Sequence, residues 1–521
     1  MKFSSATLAL VPLTSATQLV WPSKWDEMED LYTMQYGYKK RGFTDGQHNS
    51  AEWIRTAFHD AVTHDAQAGT GGIDASIFWE LKRPENGGIA FNNTFNFFSG
   101  FHNSRASASD LIALGVVTAT GVCNGPKIPF RAGRVDLMKA GPAGVPEPHT
   151  NLDETLKAFT KSGFSKQDMV ALVACGHAVG GVHHVDHPDV TGISVDAGNY
   201  TSVPFQEDNS RFHNGVVTEF LSNKTKNPLV VAKNNTLNSD KRIFNADLSV
   251  MKKLSTKAGF DSTCAAVFER MIDTVPKSVR LTSPLEPYDV KPHIEEISLN
   301  SDGDINFKGS VRLRLTNTTR DIMDLEVNLV YVGRNGKGKV IVPTKFPMSQ
   351  GGMTSSGLGE NFQSFEFDTV IKGKTGISKF WIQEIVPSTK ASKSHNNQNT
   401  GGYKVQDTIL YQLQQSCHEL DKFVDGMGPM TIKAMIPQGR ASDPLNLKIT
   451  RKVPRPDVLV PELKVESIKF KPTGKKLNGY VEFQVKTKGG DGTYFDIALG
   501  GKKPVTLDYV SAFSMPHTCS P

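Results

Sequence analysis

The chain has 521 residues, enough for two to four domains. With 38% hydrophobic and 21% charged residues it reads as an ordinary soluble globular protein. A net charge of +6 over this length gives no ground for a nucleic-acid or anionic-membrane partner. No segment has about 18 uninterrupted apolar residues, so no membrane span is expected.

Residues 1–16 have the pattern of an export signal: Lys2, a short apolar stretch over 3–13, then Thr14, Ser15 and Ala16 as small residues at a cleavage site. The alternative is an unprocessed N-terminal strand. The signal predicts a secreted, extracellular protein whose next unit covers residues 17–284. Helical spacing predicts helices over 25–36, 51–64, 107–120, 150–162, 166–177, 216–221 and 247–258.

Within the second helix Arg55 and His59 are four residues apart and project from one face. Asn49 with Glu52 fits a capping box at its start. Alone, such a pair reads as a surface pair; Trp53, Ala57 and Phe58 around it point instead to a protected cavity. At 71–77, Asp74, Ser76 and the Gly72 carbonyl join Asp60 as hard oxygen donors suited to calcium. A Gly-rich turn with an Asx cap explains the same residues. Ser165 and Asp168 form a capping box for an apolar helix that ends at His177, and Asp240 lies where it could reach an imidazole. A lone histidine in that place is ordinarily a satisfied core residue. His183, His184, Asp186 and His187 look metal-like, although a solvated loop accounts for them.

Pro284, Pro287 and Pro292 mark a linker. Beyond it the pattern switches to period two, as in 307–315 and 325–331, which predicts half-buried antiparallel strands over 285–521. A weak similarity between 294–315 and 465–485 suggests two related units, about 290–455 and 456–521, although two unrelated strand pairs with the same alternation explain it nearly as well; one or two immunoglobulin-like sandwiches are the expected form. Of the five cysteines, Cys175 sits in an apolar run and is expected to be free. Domain membership then pairs Cys123 with Cys264 and Cys417 with Cys519. Sequons start at Asn92, Asn199, Asn223, Asn234 and Asn317.

Taken in order, Arg-x-x-Phe-His-Asp, Gly-x-Asp-x-Ser, Asn86 in Glu-Asn-Gly-Gly, Ser109-Asp-Leu-Ile112, the run ending at Asp136, Gly-His-x-x-Gly and the Ser-Asp at 239–240 resemble the plant, fungal and bacterial haem peroxidase superfamily. Phe58 before the distal histidine is as in its secreted plant and fungal classes, and the chain resembles a secreted fungal peroxidase with a C-terminal β-rich extension. The resemblance covers roughly residues 25–280. It implies a mainly helical domain that holds haem b between two helices. His177 binds the iron and Asp240 accepts its Nδ1 proton. Arg55 and His59 lie across the haem, with Asn86 orienting His59. Phe58 and Phe205 border the cofactor, and Phe205 stands where cytochrome c peroxidase has a radical-forming Trp. Hydrogen peroxide and small reducing substrates, phenols above all, are the implied partners.

The resemblance also implies one calcium, on the distal side, held by Asp60, Gly72, Asp74 and Ser76. The proximal calcium set is broken by Ala178, Gln206 and His213. Manganese oxidation is disfavoured by His48, Glu52 and His183, and the long-range Trp route by Leu172. The rival reading is a non-catalytic haem-containing surface or cell-wall-binding protein whose β-rich region carries the function by binding carbohydrate or protein.

Overall fold

The computed structural model describes residues 19–33, 43–44, 47–195, 202–347, 350–356, 358–490 and 492–519. The export-signal segment, the sequon at Asn199 and residues 34–36 of the first expected helix lie outside the described residues.

The N-terminal half is helical: α1 Asp26–Thr33, α2 Asn49–Ala61, α3 Ala90–Phe98, α4 Ala108–Val122, α5 Leu152–Lys161, α6 Lys166–Gly176, α7 Pro188–Thr191, α8 Gly215–Leu221, α9 Pro228–Val231, α10 Ser239–Ala246, α11 Leu248–Leu254 and α12 Lys257–Ile272. Two short hairpins interrupt it, β1 Phe43–Thr44 with β2 Gln47–His48, and β3 Gly181–His183 with β4 Ser202–Pro204. Its core is built around α4 and α6, whose side chains are buried on nearly every face, so neither shows an amphipathic stripe. The Ser165–Asp168 capping box is present at the start of α6.

Three expectations are corrected here. The cap of α2 is His48, whose side chain accepts from the Ala51 N–H, and Glu52 instead accepts from Asn93. The helix expected over 247–258 is two: α11 stops before Ser255, and Thr256 opens α12 by accepting from the Gly259 N–H. Cys175 is not free but bonded to Cys264, joining α6 to α12, while Cys417 pairs with Cys519. Cys123 belongs to neither disulfide and is buried at the end of α4. An apolar helical setting hides a half-cystine as well as a thiol, so burial could not separate Cys175 from Cys123.

The C-terminal half contains β5 Val290–Leu299, β6 Ile305–Arg314, β7 Glu326–Val332, β8 Val340–Pro343, β9 Met353–Ser355, β10 Asn361–Ile371, β11 Lys379–Val386, β12 Ala391–His395 and β13 Tyr403–Lys404. Then follow β14 Leu410–Tyr411, β15 Cys417–His418, β16 Gly428–Pro437, β17 Leu445–Arg455, β18 Val458–Lys469, β19 Lys471–Leu477, β20 Tyr480–Gly489, β21 Tyr494–Leu499 and β22 Val505–Ser511. They form two sandwiches, each with its own apolar core between two antiparallel sheets. The first joins the sheet β5-β6-β10-β9 to β12-β11-β7-β8, and the second joins β14-β16-β20-β19 to β18-β17-β21-β22. The strand connectivity is the same in both. Pro292 lies in β5, an edge strand, where a residue without an N–H is tolerated.

The units therefore change over between Lys404 and Leu410, not at 455/456, because β17 and β18 are partners in one sheet. The similarity noticed between 294–315 and 465–485 also falls in the wrong register. It aligns β5 and β6 with β18 and β20, which are not neighbours, whereas the matching strands are β14–β16.

The two halves meet on a buried ionic seam. Glu29 on α1 has no exposed surface, and its carboxylate meets Arg312 at 2.5 Å and Lys291 at 2.8 Å. Tyr288 donates to Asp26 at 2.6 Å. Further along, Trp21 packs on Phe380 and Tyr403, while Asn397 accepts from its N–H and donates to its carbonyl. The second sandwich touches the helical half through Arg455 over Trp79 and Arg105 over Tyr509.

Candidate active site

A cavity of about 260 Å³ opens between α2 and α6 and brings together most of the residues singled out in the sequence. On one wall stand Arg55, Phe58 and His59; on the other stand His177, Phe205 and Asp240. Asn86 lies behind His59.

The α2 wall is fixed by hydrogen bonds. Asn86 is buried and its Nδ2 donates to the Glu80 carbonyl at 3.1 Å, so its Oδ1 faces His59 Nδ1 at 2.8 Å. That orientation makes Nδ1 the protonated nitrogen and leaves the Nε2 lone pair free. Burial, with the Arg55 guanidinium adding to it, pushes the imidazole down to about 3, against the smaller opposing effect of Asn86. His59 is thus a neutral base throughout the physiological range. Arg55 is steadied by donating to the Gly87 carbonyl at 2.9 Å and by the Phe91 ring, on which His59 also packs edge-on.

The α6 wall has opposite chemistry. His177 caps the end of α6, where its N–H reaches the Val173 carbonyl, and its Nδ1 faces Asp240 Oδ2 at 2.8 Å. Phe205 stacks on the imidazole at 4.1 Å. Asp240 is wholly buried in the first turn of α10. The same Oδ2 accepts a second bond, from Asn227 Nδ2 at 2.7 Å. Sequence reasoning passed over Asn227, whose only signal is its place before Pro228 as the cap of α9.

The turn after α2 gathers Asp60, Gly72, Asp74 and Ser76. Asp60 Oδ2 accepts from the Asp74 and Ala75 N–H groups, and Oδ1 accepts from the Ile77 N–H and the Ser76 hydroxyl. Asp74 Oδ1 accepts from the Ser76 N–H, whereas Asp74 Oδ2 is buried without a hydrogen-bond partner. Gly72 has φ +105, and a Cβ there would come within 2.4 Å of the Thr274 carbonyl. Among the described residues no three His, Cys, Asp or Glu side chains converge as a metal cage.

Gln206 stands where the family resemblance expects a carboxylate ligand of a cation. Its Nε2 donates to the carbonyls of Ala178, Asp208 and Arg211, and its Oε1 accepts from the Val216 N–H. His48, Glu52 and His183 line the cavity mouth, but His48 is engaged as a helix cap and His183 lies 3.7 Å from Asp186. Leu172 is buried and faces the cavity, so it is not the surface position that its alignment with an exposed Trp suggests.

The peroxidase family profile matches residues 38–261. A WSC domain-containing protein of Arthroderma benhamiae is 34% identical over 474 residues, which cover 87% of this chain and 61% of that protein. L-ascorbate peroxidase 5, peroxisomal, of Arabidopsis thaliana is 33% identical over 33% of this chain and 58% of its own length. Mitochondrial cytochrome c peroxidase of Neurospora crassa is 30% identical over 32% of this chain and 49% of its own. The chain thus spans about half to three fifths of the length of these relatives.

Proposed function

The chain belongs to the haem peroxidase superfamily through residues 38–261, and on that premise we propose that it reduces hydrogen peroxide and oxidises small donors, phenols among them, in one-electron steps. One observation carries the reading. Two histidines face one cavity with opposite partners, an amide behind His59 and a carboxylate behind His177. The first arrangement makes a neutral base and the second makes an electron-rich metal ligand.

The residues fit haem b. Nδ1 of His177 is committed to Asp240, so Nε2 remains to ligate iron, and Phe58, Phe205, Leu172 and Met271 give the cavity apolar walls. When bound, the haem supplies the electrons that peroxide reduction consumes. His59 Nε2 takes the proton from one peroxide oxygen and delivers it to the other, which leaves as water. Arg55, held by Gly87, stabilises the negative charge that builds up as the O–O bond lengthens. Phe205 offers no N–H to Asp240, so the carboxylate's pull goes to His177 and Asn227.

Calcium also fits the turn after α2. Asp74 Oδ2 is buried and bare, and the Asp60 carboxylate, the Ser76 hydroxyl and the Gly72 carbonyl of the same segment would complete an oxygen-donor set. We read the protein as exported, on the evidence of its first 16 residues, with the two sandwiches as an accessory unit for carbohydrate or protein. Haem titration of the purified full chain tests the proposal. A Soret band should form, change on one equivalent of peroxide and return when a phenol is added. A chain that forms no Soret band, or one indifferent to peroxide, would favour the non-catalytic binding protein.

A further inference from the structure

Asp240 carries two hydrogen bonds on one oxygen. His177 Nδ1 lies 2.8 Å from Oδ2 and Asn227 Nδ2 lies 2.7 Å from it. Among the described residues these are its hydrogen-bond donors, and Asp240 Oδ1 is buried with none. Asn227 is wholly buried as well. Its amide cannot turn round, because Oδ1 already accepts from the Leu229 N–H at 2.9 Å as the cap of α9. The Asn227 N–H in turn donates to the Thr225 hydroxyl. The chain has therefore built a rigid mount whose NH₂ group points at the oxygen that His177 uses.

We infer that Asn227 sets the electron-donating strength of His177 by competing with it for Asp240 Oδ2. The inference rests on the haem reading above and goes beyond it. A carboxylate oxygen that accepts two N–H bonds has its charge divided between them. The more charge Asn227 draws, the less Asp240 pulls on the His177 Nδ1 proton, and the less imidazolate character reaches Nε2. Burial of Asp240 sharpens the effect, since a low local dielectric strengthens each hydrogen bond to the oxygen. Asn227 is a positioning residue here: it touches neither the iron ligand nor the peroxide, and it acts through Asp240.

The direction of the effect separates this role from simple support. If Asn227 tempers Asp240, removing its NH₂ strengthens the pull on His177 and stabilises the ferric state. If Asn227 merely holds Asp240 in place, removing it loosens Asp240 and destabilises the ferric state, as loss of Asp240 itself would.

The test uses the haem-loaded full chain with Asn227→Ser. Serine is a good helix cap and keeps an acceptor for the Leu229 N–H, but its hydroxyl is too short to bridge to Asp240. Spectroelectrochemical titration should show the ferric/ferrous equilibrium moved about tenfold toward ferric, a fall of roughly 59 mV for one electron. Resonance Raman of the ferrous form should show a stiffer iron–histidine stretch. Asp240→Ala should move both readouts the opposite way. Should the serine variant fail to fold, Asn227→Thr keeps the same cap and makes the same comparison. Movement of less than twofold, or in the same direction as Asp240→Ala, overturns the inference. Absence of haem binding by the unchanged chain would instead overturn the proposed function, so the two failures are distinct.

Discussion

Replacing Asn86 by Asp should shift the pH at which the distal base switches off. In the parent chain, burial and then Arg55 bring His59 from an ordinary 6.5 down to about 3. The imidazolium is thereby disfavoured by roughly 5 kcal/mol, taking about 1.4 kcal/mol per pH unit. Nε2 is the working atom and acts only when neutral. The rate of reaction with peroxide should therefore be flat from neutral pH down to about 4 and fall only below that. A carboxylate at the Asn86 position, 2.8 Å from Nδ1, replaces a neutral acceptor with an anionic one. An opposite charge at this range raises an imidazole by about one to three units, so the acid limb should move to about pH 4–6. The new carboxylate also faces the Glu80 carbonyl, where Asn86 donates a hydrogen bond, and this should cost about 1–3 kcal/mol of stability. The assay is stopped-flow measurement of the second-order rate with peroxide against pH, on folded, haem-loaded protein. An acid limb near 6 in the parent would show that His59 is not desolvated. An unmoved limb in Asn86→Asp would show that Asn86 is not its partner.

Glu29→Ala should destabilise the full chain by about 1–3 kcal/mol in urea unfolding, because Lys291 and Arg312 lose a buried carboxylate partner and keep Asp30 as counter-ion on the seam. A loss below about 1 kcal/mol would mean that the seam does not hold the halves together. Metal analysis should find one calcium per chain, and its chelation should slow the peroxide reaction before either sandwich unfolds. A finding of none or of two would contradict the reading of Asp74 Oδ2 or of Gln206. Burial pushes Glu384 up, but His395 and Arg320 outweigh it and hold the carboxyl at about 2. Its contribution, at most about 3 kcal/mol, is complete above the usual carboxylate value of 4.5 and is lost as pH falls toward 2. Glu384→Gln should flatten the stability-against-pH curve in that interval. An unchanged slope would rule out the ion pair as the source of acid sensitivity.

The helical half was legible because its chemistry sits in short, ordered segments. Arg55 and His59 share a helix face whatever the rest of the chain does, and the Ser165–Asp168 box is a local event. What escaped the sequence depended on distance. The partner of Cys175 is decided by the packing of α6 against α12, 89 residues away in sequence. Asn227 reaches Asp240 only because α9 and α10 fold back on each other. The β half showed its period-two pattern clearly, but alternation does not say which strand lies beside which. Two sandwiches with the same connectivity offer several equally good alignments, and the one that aligned β5 and β6 with β18 and β20 was an accident of spacing. Gln206 was recognised as a departure at a cation site, but nothing local revealed that its own amide would gather three carbonyls there.

The fastening of Trp21 and α1 to the first sandwich bears on the order in which the molecule can be completed. A ribosome releases the chain from its N-terminal end, yet Trp21 meets its partners Asn397 and Tyr403 only after some 380 more residues have been made. At about 5–20 residues per second that is a wait of roughly 20–75 s. The helical unit could collapse around α4 and α6 in that interval, but its first helix would still lack the counter-ions Lys291 and Arg312 for Glu29. One late step of maturation would then be the return of this early-made segment to a surface built later. A chain truncated within the first sandwich would leave that segment exposed for the cell's quality-control machinery to detect.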